Sequence, residues 1–360
     1  MNLLNTTDND LSYEAFINRR YFKCLDGVRA LAILAVIWHH SLGLNPSDNP
    51  IFTRGYLGVD LFFALSGFLI TTLLLREMDR SGTISLKQFY IRRTLRIFPV
   101  YYAFLLALFI WYGITDEKMY TQYLTELPYY ALYITNWAPS ESFDVFERGW
   151  SLAVEEQFYI IWPGALILLG FKRVGIITLL LIVCSLAISY SHLFEQLSYW
   201  VSHFIPFRTI FLGAILAFIL HRKRTFKLAK IILEKSYTPF IILLVLVGVL
   251  SEAKGAINYA EQFLIHLLFV FFIGAIIVNE KSISAKIISN SLFSQIGVVS
   301  YGIYIFHGQF QGVTSSIVNL LPFQESKLAF FILFSLISTI VAMISFYTFE
   351  SYFLRLKKNY

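Results

Sequence analysis

The stretch LDGVRALAILAVIWHHS, residues 25–41, decides how this sequence is interpreted. It predicts an apolar helix with Arg29 near its start and His40 eleven residues later. Eleven residues are about three turns of an α-helix, so these two side chains lie on one face, roughly 16 Å apart along the axis. His39 lies nearly a quarter-turn from that face. Ionisable side chains inside a membrane helix indicate a functional role, whereas a snorkelling arginine and an interfacial histidine are the structural alternative.

The composition is that of a membrane protein. Of the 360 residues, 57% are hydrophobic and only 14% are charged, and they include 35 Phe and 22 Tyr. Soluble proteins are less apolar, and aromatic residues are enriched at membrane interfaces. The two cysteines, Cys24 and Cys184, provide neither a disulfide framework nor a metal-binding spacing. We therefore predict an all-α polytopic membrane protein with no metal site.

Ten apolar runs are candidates for membrane helices. They cover residues 28–44, 57–75, 97–113, 152–170, 174–191, 205–220, 237–251, 262–278, 296–318 and 328–349. A polar segment (residues 1–24) precedes a single integral membrane domain (residues 25–350), and a basic tail (residues 351–360) follows.

The distribution of basic residues orients these helices. With the N-terminus in the cytoplasm, most of the 29 lysine and arginine residues fall in cytoplasmic segments. The external segments hold only Arg54, Lys118, Arg148, Lys254 and Lys327. This positive-inside pattern predicts ten membrane helices with both termini cytoplasmic, and it also explains the net charge of +6 without a nucleic-acid partner. The longest external loop, residues 114–149, is acidic, and we expect its aromatic middle to lie against the membrane surface or the protein.

Two charged clusters could carry chemistry. Arg92, Arg93 and Arg96 are predicted at the cytoplasmic mouth of the third helix, where positive-inside anchoring is the structural alternative to phosphate binding. Arg29 is predicted at the same depth, so the guanidinium groups could converge on an anion.

The second cluster is acidic and lies at the outer mouth of the fourth predicted helix. Glu155 and Glu156 follow Ser151, which could cap the helix, so favourable acids in the first turn are the structural alternative. His40 is predicted at the same level, and a carboxylate that accepts a histidine N–H fixes its tautomer and raises its basicity. Tyr159 shares a face with Glu155.

For the other polar residues, the sequence gives weaker evidence of a functional role. Asp60 opens the second predicted helix, where stabilisation of the first turn explains it adequately. Further along the same helix, the pair Ser66-Gly67 is better suited to close helix packing than to nucleophilic attack. His307 is predicted inside the ninth helix, either satisfied by tyrosine or backbone or catalytic. The remaining candidates, His192, His203, His221 and His266, have no partner at a useful spacing.

The ordered motifs together resemble the membrane acyltransferase family 3, the envelope O-acetyltransferases. The resemblance rests on four stretches and extends over about residues 25–310. They are the Arg-x10-His pair Arg29 and His40 followed by GVDLFFALSGFLI (residues 58–70), the R-x-x-R pair Arg93 and Arg96, Glu155 in WSLAVEEQFYIIWP (residues 150–163), and His307 in SYGIYIFH (residues 300–307). Glu156 is the less certain acid. The chain resembles the stand-alone type that lacks a periplasmic esterase-like domain, which completes transfer itself or with a separate partner.

The resemblance implies a reaction. Acetyl-CoA is the expected donor, with its phosphates at Arg29, Arg93 and Arg96 and its pantetheine arm extended toward His40. His40 would be the general base on a glycan hydroxyl and Glu155 would orient it, with an acetyl-histidine intermediate as the alternative mechanism. Tyr159 and Ser66 are candidate donors to the oxyanion, and Asp60 and His307 are candidate substrate-binding residues.

The expected setting is the plasma membrane, with membrane lipid and a glycan or lipid-linked oligosaccharide acceptor as partners. No motif specifies the sugar, the hydroxyl, the exact acyl group or the oligomeric state. A transporter or flippase of a lipid-linked glycan is the alternative function, because it would also need these spans and charges. A sensor or structural protein is a third possibility, but it leaves the aligned Arg29 and His40 unexplained.

Overall fold

The computed structural model describes residues 8–19, 21–41, 53–138, 145–190, 198–252, 257–320 and 326–356. Over these residues the chain is mainly helical, without β-strands, which confirms the predicted all-α fold. In chain order the α-helices are α1 (Asp8–Asn18), α2 (Lys23–Ser41), α3 (Leu57–Ser81), α4 (Leu86–Thr115), α5 (Glu117–Ala131), α6 (Gly149–Tyr190), α7 (Ser198–His221), α8 (Lys223–Leu233), α9 (Thr238–Glu252), α10 (Tyr259–Val278), α11 (Ile283–Ile288), α12 (Ser291–Val298), α13 (Ser300–Phe306), α14 (Gln311–Asn319), α15 (Lys327–Ser345) and α16 (Ser351–Leu356).

Among these helices, six stretches are long and apolar enough to cross a membrane, and a seventh if α8 and α9, bent by 69°, count as one broken span. They are Leu57–Ser81, Leu86–Thr115, Gly149–Ser189, Phe204–His221, Tyr259–Val278 and Lys327–Leu356. The helix α2 is not among them because charged side chains and two histidines lower its apolar character. The helix α9 has only 15 residues.

The structure differs from the predicted spans at two places. Residues 296–318 are divided between short helices, with a 3-10 turn at His307–Phe310 where the sequence predicts one span. The sequence predicts separate spans before and after residues 171–173, but both belong to α6, which is interrupted at Gly170 with a φ of 74° and a ψ of 154°. Glycine adopts this conformation without the steric clash that a Cβ would meet. The apolar runs alone do not show that the first of these spans is divided or that the other two are joined.

The chain forms two compact units, described separately below. Unit 1 comprises residues 1–83 and 171–298, and unit 2 comprises residues 84–170 and 299–360. The prediction of a single membrane domain over residues 25–350 does not include this division. The chain passes between the units at the Gly170 break and at the ends of α3 and α12.

Unit 1 depends on close approach of helix backbones. A Cβ atom on Gly67 of α3 would overlap the backbone oxygen of Ile210 in α7, and one on Gly213 of α7 would overlap that of Ala64 in α3. Small residues allow membrane helices to pack at this distance. The packing role expected at Ser66-Gly67 is therefore confirmed for the glycine.

Unit 2 has an aromatic interior. The rings of Tyr101, Phe104 and Tyr130 pack around Phe146, with centroid separations of 5.2–6.2 Å. The predicted external loop is partly helical, because residues 117–131 form α5, capped where the Asp116 side chain accepts the Met119 N–H at 3.0 Å. The expectation that its aromatic residues lie against the protein is confirmed for the buried Tyr130. The loop acids Glu141 and Asp144 and the tail residues 357–360 lie outside the described part of the chain.

We expect Gly67→Ala to destabilise the protein by about 1–3 kcal/mol, because the added methyl group forces α3 and α7 apart. The matched control is Gly248→Ala in α9, where nothing lies within 4 Å of the added Cβ. That substitution should raise stability by up to about 1 kcal/mol through helix propensity. Thermal unfolding midpoints of the purified proteins in detergent measure both effects, and equal midpoints for the two variants would contradict this packing.

Candidate functional site

The predicted site residues are distributed over both units. Unit 1 holds Arg29, His40 and Asp60, and unit 2 holds Arg93, Arg96, Glu155, Tyr159 and His307. The convergence of Arg29 with the α4 arginines, and of Glu155 with His40, stays a prediction. Within each unit, however, the polar side chains form specific groups.

Arg29 is paired near the start of α2. Its Nη1 donates to Oδ1 of the buried Asp26 at 2.7 Å, one turn earlier, and the Tyr21 hydroxyl donates to the other oxygen of the same carboxylate. The Arg29 side chain is still 23% exposed. A guanidinium has five N–H donors, so pairing with Asp26 leaves others that could serve an anion.

The thiol next to this pair is unsuited to covalent catalysis. Cys24 is buried, and its Sγ donates to Glu280 Oε1 at 3.4 Å, while Arg19 forms an ion pair with Glu280. Burial raises the pKa of the Cys24 thiol, and the neighbouring carboxylate raises it further. The thiolate is the nucleophilic form, so Cys24 is not a candidate acyl carrier.

The two histidines at the end of α2 are held by backbone carbonyls. His40 Nδ1 lies 2.8 Å from the carbonyl oxygen of Val36, and His39 Nδ1 lies 2.9 Å from that of Thr53. A carbonyl oxygen only accepts, so Nδ1 carries the hydrogen in both rings and Nε2 carries the lone pair of the neutral form. The His40 ring therefore has the tautomer that a general base needs, with Nε2 as the basic atom.

Asp60 has a partner that the sequence did not indicate. His266 of α10 is fully buried, and its Nε2 lies 3.5 Å from Asp60 Oδ1 in α3, an ion-pair distance longer than a hydrogen bond. Its Nδ1 lies 2.9 Å from the hydroxyl oxygen of the buried Thr209 in α7. Asp60 therefore belongs to a three-residue polar group across three helices, beyond the predicted role in the first turn of α3.

The preceding residue in α7, Arg208, is also buried. Its guanidinium lies 5.6 Å from the ring centroid of Phe263, a cation–π distance. A buried arginine and histidine inside apolar helices are expensive and therefore mark functional positions. These positions were missed because His266 is 57 residues from Thr209, and each residue alone is consistent with a structural role.

In unit 2, Arg93 and the acids belong to one group. The Tyr159 hydroxyl donates to Glu155 Oε1, and the Arg93 guanidinium lies 5.6 Å from the centroid of the Tyr159 ring. Glu156 is buried and interacts electrostatically with both Arg93 and Glu155. The placement of Arg93 and Glu155 at opposite mouths stays a prediction. The long Arg93 side chain reaches the Tyr159 ring, one turn beyond the acids.

The other α4 arginines have different neighbours. Arg92 Nη1 donates to Gln88 Oε1 at 3.4 Å, and Arg96 interacts electrostatically with the buried Glu350. Glu350 ends the π-helical turn Phe346–Glu350 that follows α15. Within unit 2, Arg93 and Arg96 thus balance different carboxylates.

His307 is buried and backbone-bonded. Its Nδ1 lies 2.8 Å from the carbonyl oxygen of Tyr304, which requires a hydrogen on Nδ1. The Tyr304 hydroxyl lies 2.6 Å from Ser151 Oγ, and Ser151 also donates to the carbonyl of Arg148. Ser151 therefore lies inside the first turn of α6 and bonds back to the residue before the helix, so it is not the cap that the structural alternative suggested. Of the weaker histidine candidates, His192 lies outside the described residues, as does the side chain of His203.

Metal binding has no support in the described ranges, where no three His, Cys, Asp or Glu side chains are grouped to hold an ion. Comparison with known protein families gives a match: the model of the acyltransferase family 3, described as "Acyltransferase domain", matches residues 22–347. The chain belongs to this acyltransferase family.

Individual relatives support the same assignment. A provisionally named O-acetyltransferase of Staphylococcus aureus (strain COL) is 32% identical over 310 residues, covering 80% of this chain and 50% of that protein. The peptidoglycan O-acetyltransferase OatA of Listeria monocytogenes is 31% identical over 332 residues, covering 84% of this chain and 51% of OatA. A provisionally named peptidoglycan O-acetyltransferase, YrhL of Bacillus subtilis (strain 168), is 29% identical over 321 residues, covering 82% and 49%.

The chain spans about half the length of the curated relatives it matches. No solved structure matches the chain significantly.

We expect Thr209→Val to destabilise the protein by about 1–3 kcal/mol, because the buried His266 Nδ1 loses its hydrogen-bond partner. Thr72→Val is the matched control, since the Thr72 hydroxyl is equally buried in unit 1 and has no hydrogen bond within the described residues. It should leave stability unchanged or slightly raised. Thermal unfolding in detergent measures the difference, and equal losses would show that Thr209 does not bond His266.

Proposed function

We propose that this protein is a membrane O-acetyltransferase that moves an acetyl group from acetyl-CoA to a hydroxyl of an envelope glycan. The observation that carries the proposal is the His40 tautomer, fixed by the Val36 carbonyl, on a helix that also bears Arg29. Membership of the acyltransferase family supports the reaction class. Relatives named as peptidoglycan O-acetyltransferases favour peptidoglycan as the acceptor.

In the proposed step, His40 Nε2 accepts the proton of the acceptor hydroxyl as its oxygen attacks the thioester carbonyl. The C–S bond then breaks, and the CoA thiolate takes the proton from the imidazolium. The Nδ1–H bond to Val36 persists throughout, so the ring keeps its orientation while its charge changes. Attack by Nε2 itself, giving an acetyl-histidine, is the alternative path and would leave a labelled protein.

The acids and arginines have proposed roles that follow the family pattern. Glu155, bonded by Tyr159, is the proposed second catalytic carboxylate, although the Val36 carbonyl already takes the His40 Nδ1 hydrogen that Glu155 was expected to accept. Arg29, Arg93 and Arg96 are the proposed partners of the CoA phosphates. The proposed topology has ten membrane helices with both termini cytoplasmic, in the plasma membrane. In this topology the acetyl group would pass from cytoplasmic acetyl-CoA to an acceptor on the external side of the membrane.

We expect His40→Ala to lower acetyl transfer by about 100- to 10,000-fold, because the general base is lost. The control is His39→Ala, which removes a neighbouring ring held by a different carbonyl, that of Thr53, and should retain most of the activity. The measurement uses membranes that contain each protein, radiolabelled acetyl-CoA and peptidoglycan or another envelope glycan extract. Equal transfer by all three proteins would remove His40 from catalysis, and no transfer with protein-dependent glycan export would favour the transporter.

We expect Arg29→Met to raise the KM for acetyl-CoA by roughly tenfold or more, since a charge-assisted hydrogen bond to phosphate is lost. Asp26→Asn is the control, because it removes the carboxylate that holds Arg29 Nη1 and keeps the guanidinium. It should leave this KM unchanged or lower it. If both variants only reduce the unfolding midpoint and neither changes the KM, Arg29 is a structural partner of Asp26.

A further inference from the structure

The segment that follows α5 contains a strained tyrosine. Tyr133 has a φ of 53°, and no other non-glycine residue in the described ranges has a positive φ. Its ring is stacked on Tyr101 with 4.3 Å between centroids and on Phe98 with 5.7 Å, and it is only 5% exposed. A left-handed backbone at a bulky residue persists only where surrounding contacts enforce it, and such positions cluster at functional sites.

The Tyr133 hydroxyl is buried and has no hydrogen-bond partner among the described residues. Neighbouring tyrosines of unit 2 behave differently. Tyr101 donates to the Tyr130 carbonyl at 2.9 Å, Tyr102 to that of Ala131 at 2.8 Å, and Tyr301 to that of Ile97 at 3.1 Å. Because nearly every buried polar group in a folded protein is hydrogen-bonded, this exception requires an explanation.

A second hydroxyl in the same segment has the same property. Thr135 is 7% exposed, and its Oγ1 is also without a hydrogen-bond partner in the described ranges. The segment is anchored to α6, where Gln157 Nε2 donates to the Tyr133 carbonyl at 2.8 Å and to Asn136 Oδ1 at 2.7 Å. Two buried donors are therefore held on a fixed backbone.

The charged surroundings define what could bind there. Glu156 interacts electrostatically with Tyr133, as do the phenols of Tyr301 and Tyr101. Burial raises the pKa of Tyr133 well above its ordinary value, and Glu156 raises it further, so the phenol keeps its proton. Its hydroxyl is therefore available as a hydrogen-bond donor.

A ligand group for this segment must therefore accept hydrogen bonds from Tyr133 and Thr135. A hydroxyl group can accept from both, and it can also exchange a hydrogen bond with the carboxyl group of Glu156. The aromatic side chains around Tyr133, including the partly exposed Tyr102, suit the apolar face of a sugar ring. We propose that residues 133–136, with Glu156, form the subsite that binds the hydroxyl groups of a sugar acceptor, an inference that rests on the proposed function.

Saccharide binding tests this subsite without acetyl transfer. Purified protein in detergent is titrated with chitotetraose and, separately, with maltotetraose, and thermal stabilisation gives the apparent affinity. We expect the wild type to bind at least one tetrasaccharide, and Tyr133→Phe and Thr135→Val to bind it about 3- to 10-fold more weakly, since each lacks one hydrogen bond. Without saccharide, the unfolding midpoint of Tyr133→Phe should equal or exceed that of the wild type, because an unpaired buried hydroxyl is removed.

Tyr101→Phe is the matched control. Its hydroxyl already bonds the Tyr130 carbonyl, so its loss should lower the unfolding midpoint and leave saccharide affinity unchanged. The subsite is overturned if the wild type binds neither tetrasaccharide, or if Tyr133→Phe and Thr135→Val bind as tightly as the wild type.

Transfer of label from acetyl-CoA to the bound tetrasaccharide separates the two proposals. Binding that depends on Tyr133 without any transfer would support the subsite and contradict the acetyltransferase function. Transfer with an unchanged KM for the saccharide in Tyr133→Phe would support the function and overturn the subsite.

Discussion

A charged side chain in an apolar helix needs a partner close by, and this constraint organises both units. In water such groups are solvated, but in a low-dielectric interior an unpaired charge is far more expensive than the contact that neutralises it. Arg29 has Asp26 three residues earlier, Asp60 has His266 from another helix, and Arg93 has Glu156 and the Tyr159 ring. The first pair is compatible with ligand binding, because a guanidinium has five N–H donors and the Arg29 side chain is still partly exposed.

The partners also determine which histidines can act as bases. In His40 and His307 a backbone carbonyl takes the Nδ1 hydrogen, which leaves the lone pair on Nε2. His266 differs, because its Nδ1 partner is the Thr209 hydroxyl, which can donate or accept, and its Nε2 lies 3.5 Å from Asp60 Oδ1. Only the tautomers of His40 and His307 therefore follow from the type of acceptor alone.

Local patterns predicted the features that depend on neighbouring residues. Helical character, the close packing at Gly67 and the Glu155–Tyr159 pairing follow from composition and from spacings of a few residues. Contacts between distant residues were not predictable: Thr209 and His266 are 57 residues apart. The contact between Arg93 and the Tyr159 ring was not predictable either, because helix position locates a Cα atom, whereas a long side chain extends well beyond it.

The role of the strained Tyr133 could not be predicted from the sequence for a different reason. Within its aromatic group, Tyr101 and Tyr133 have the same ring chemistry and similar burial, so hydrophobic packing alone does not distinguish them. They differ in that the Tyr101 hydroxyl bonds the backbone, whereas Tyr133 has an unfavourable main-chain conformation and its hydroxyl has no hydrogen bond to any described residue. A residue chosen only to fill the core would be replaceable by phenylalanine, which removes the desolvated hydroxyl at no loss of packing. Retention of the hydroxyl is explained if its partner arrives with the substrate, in which case binding supplies the hydrogen bond that folding does not.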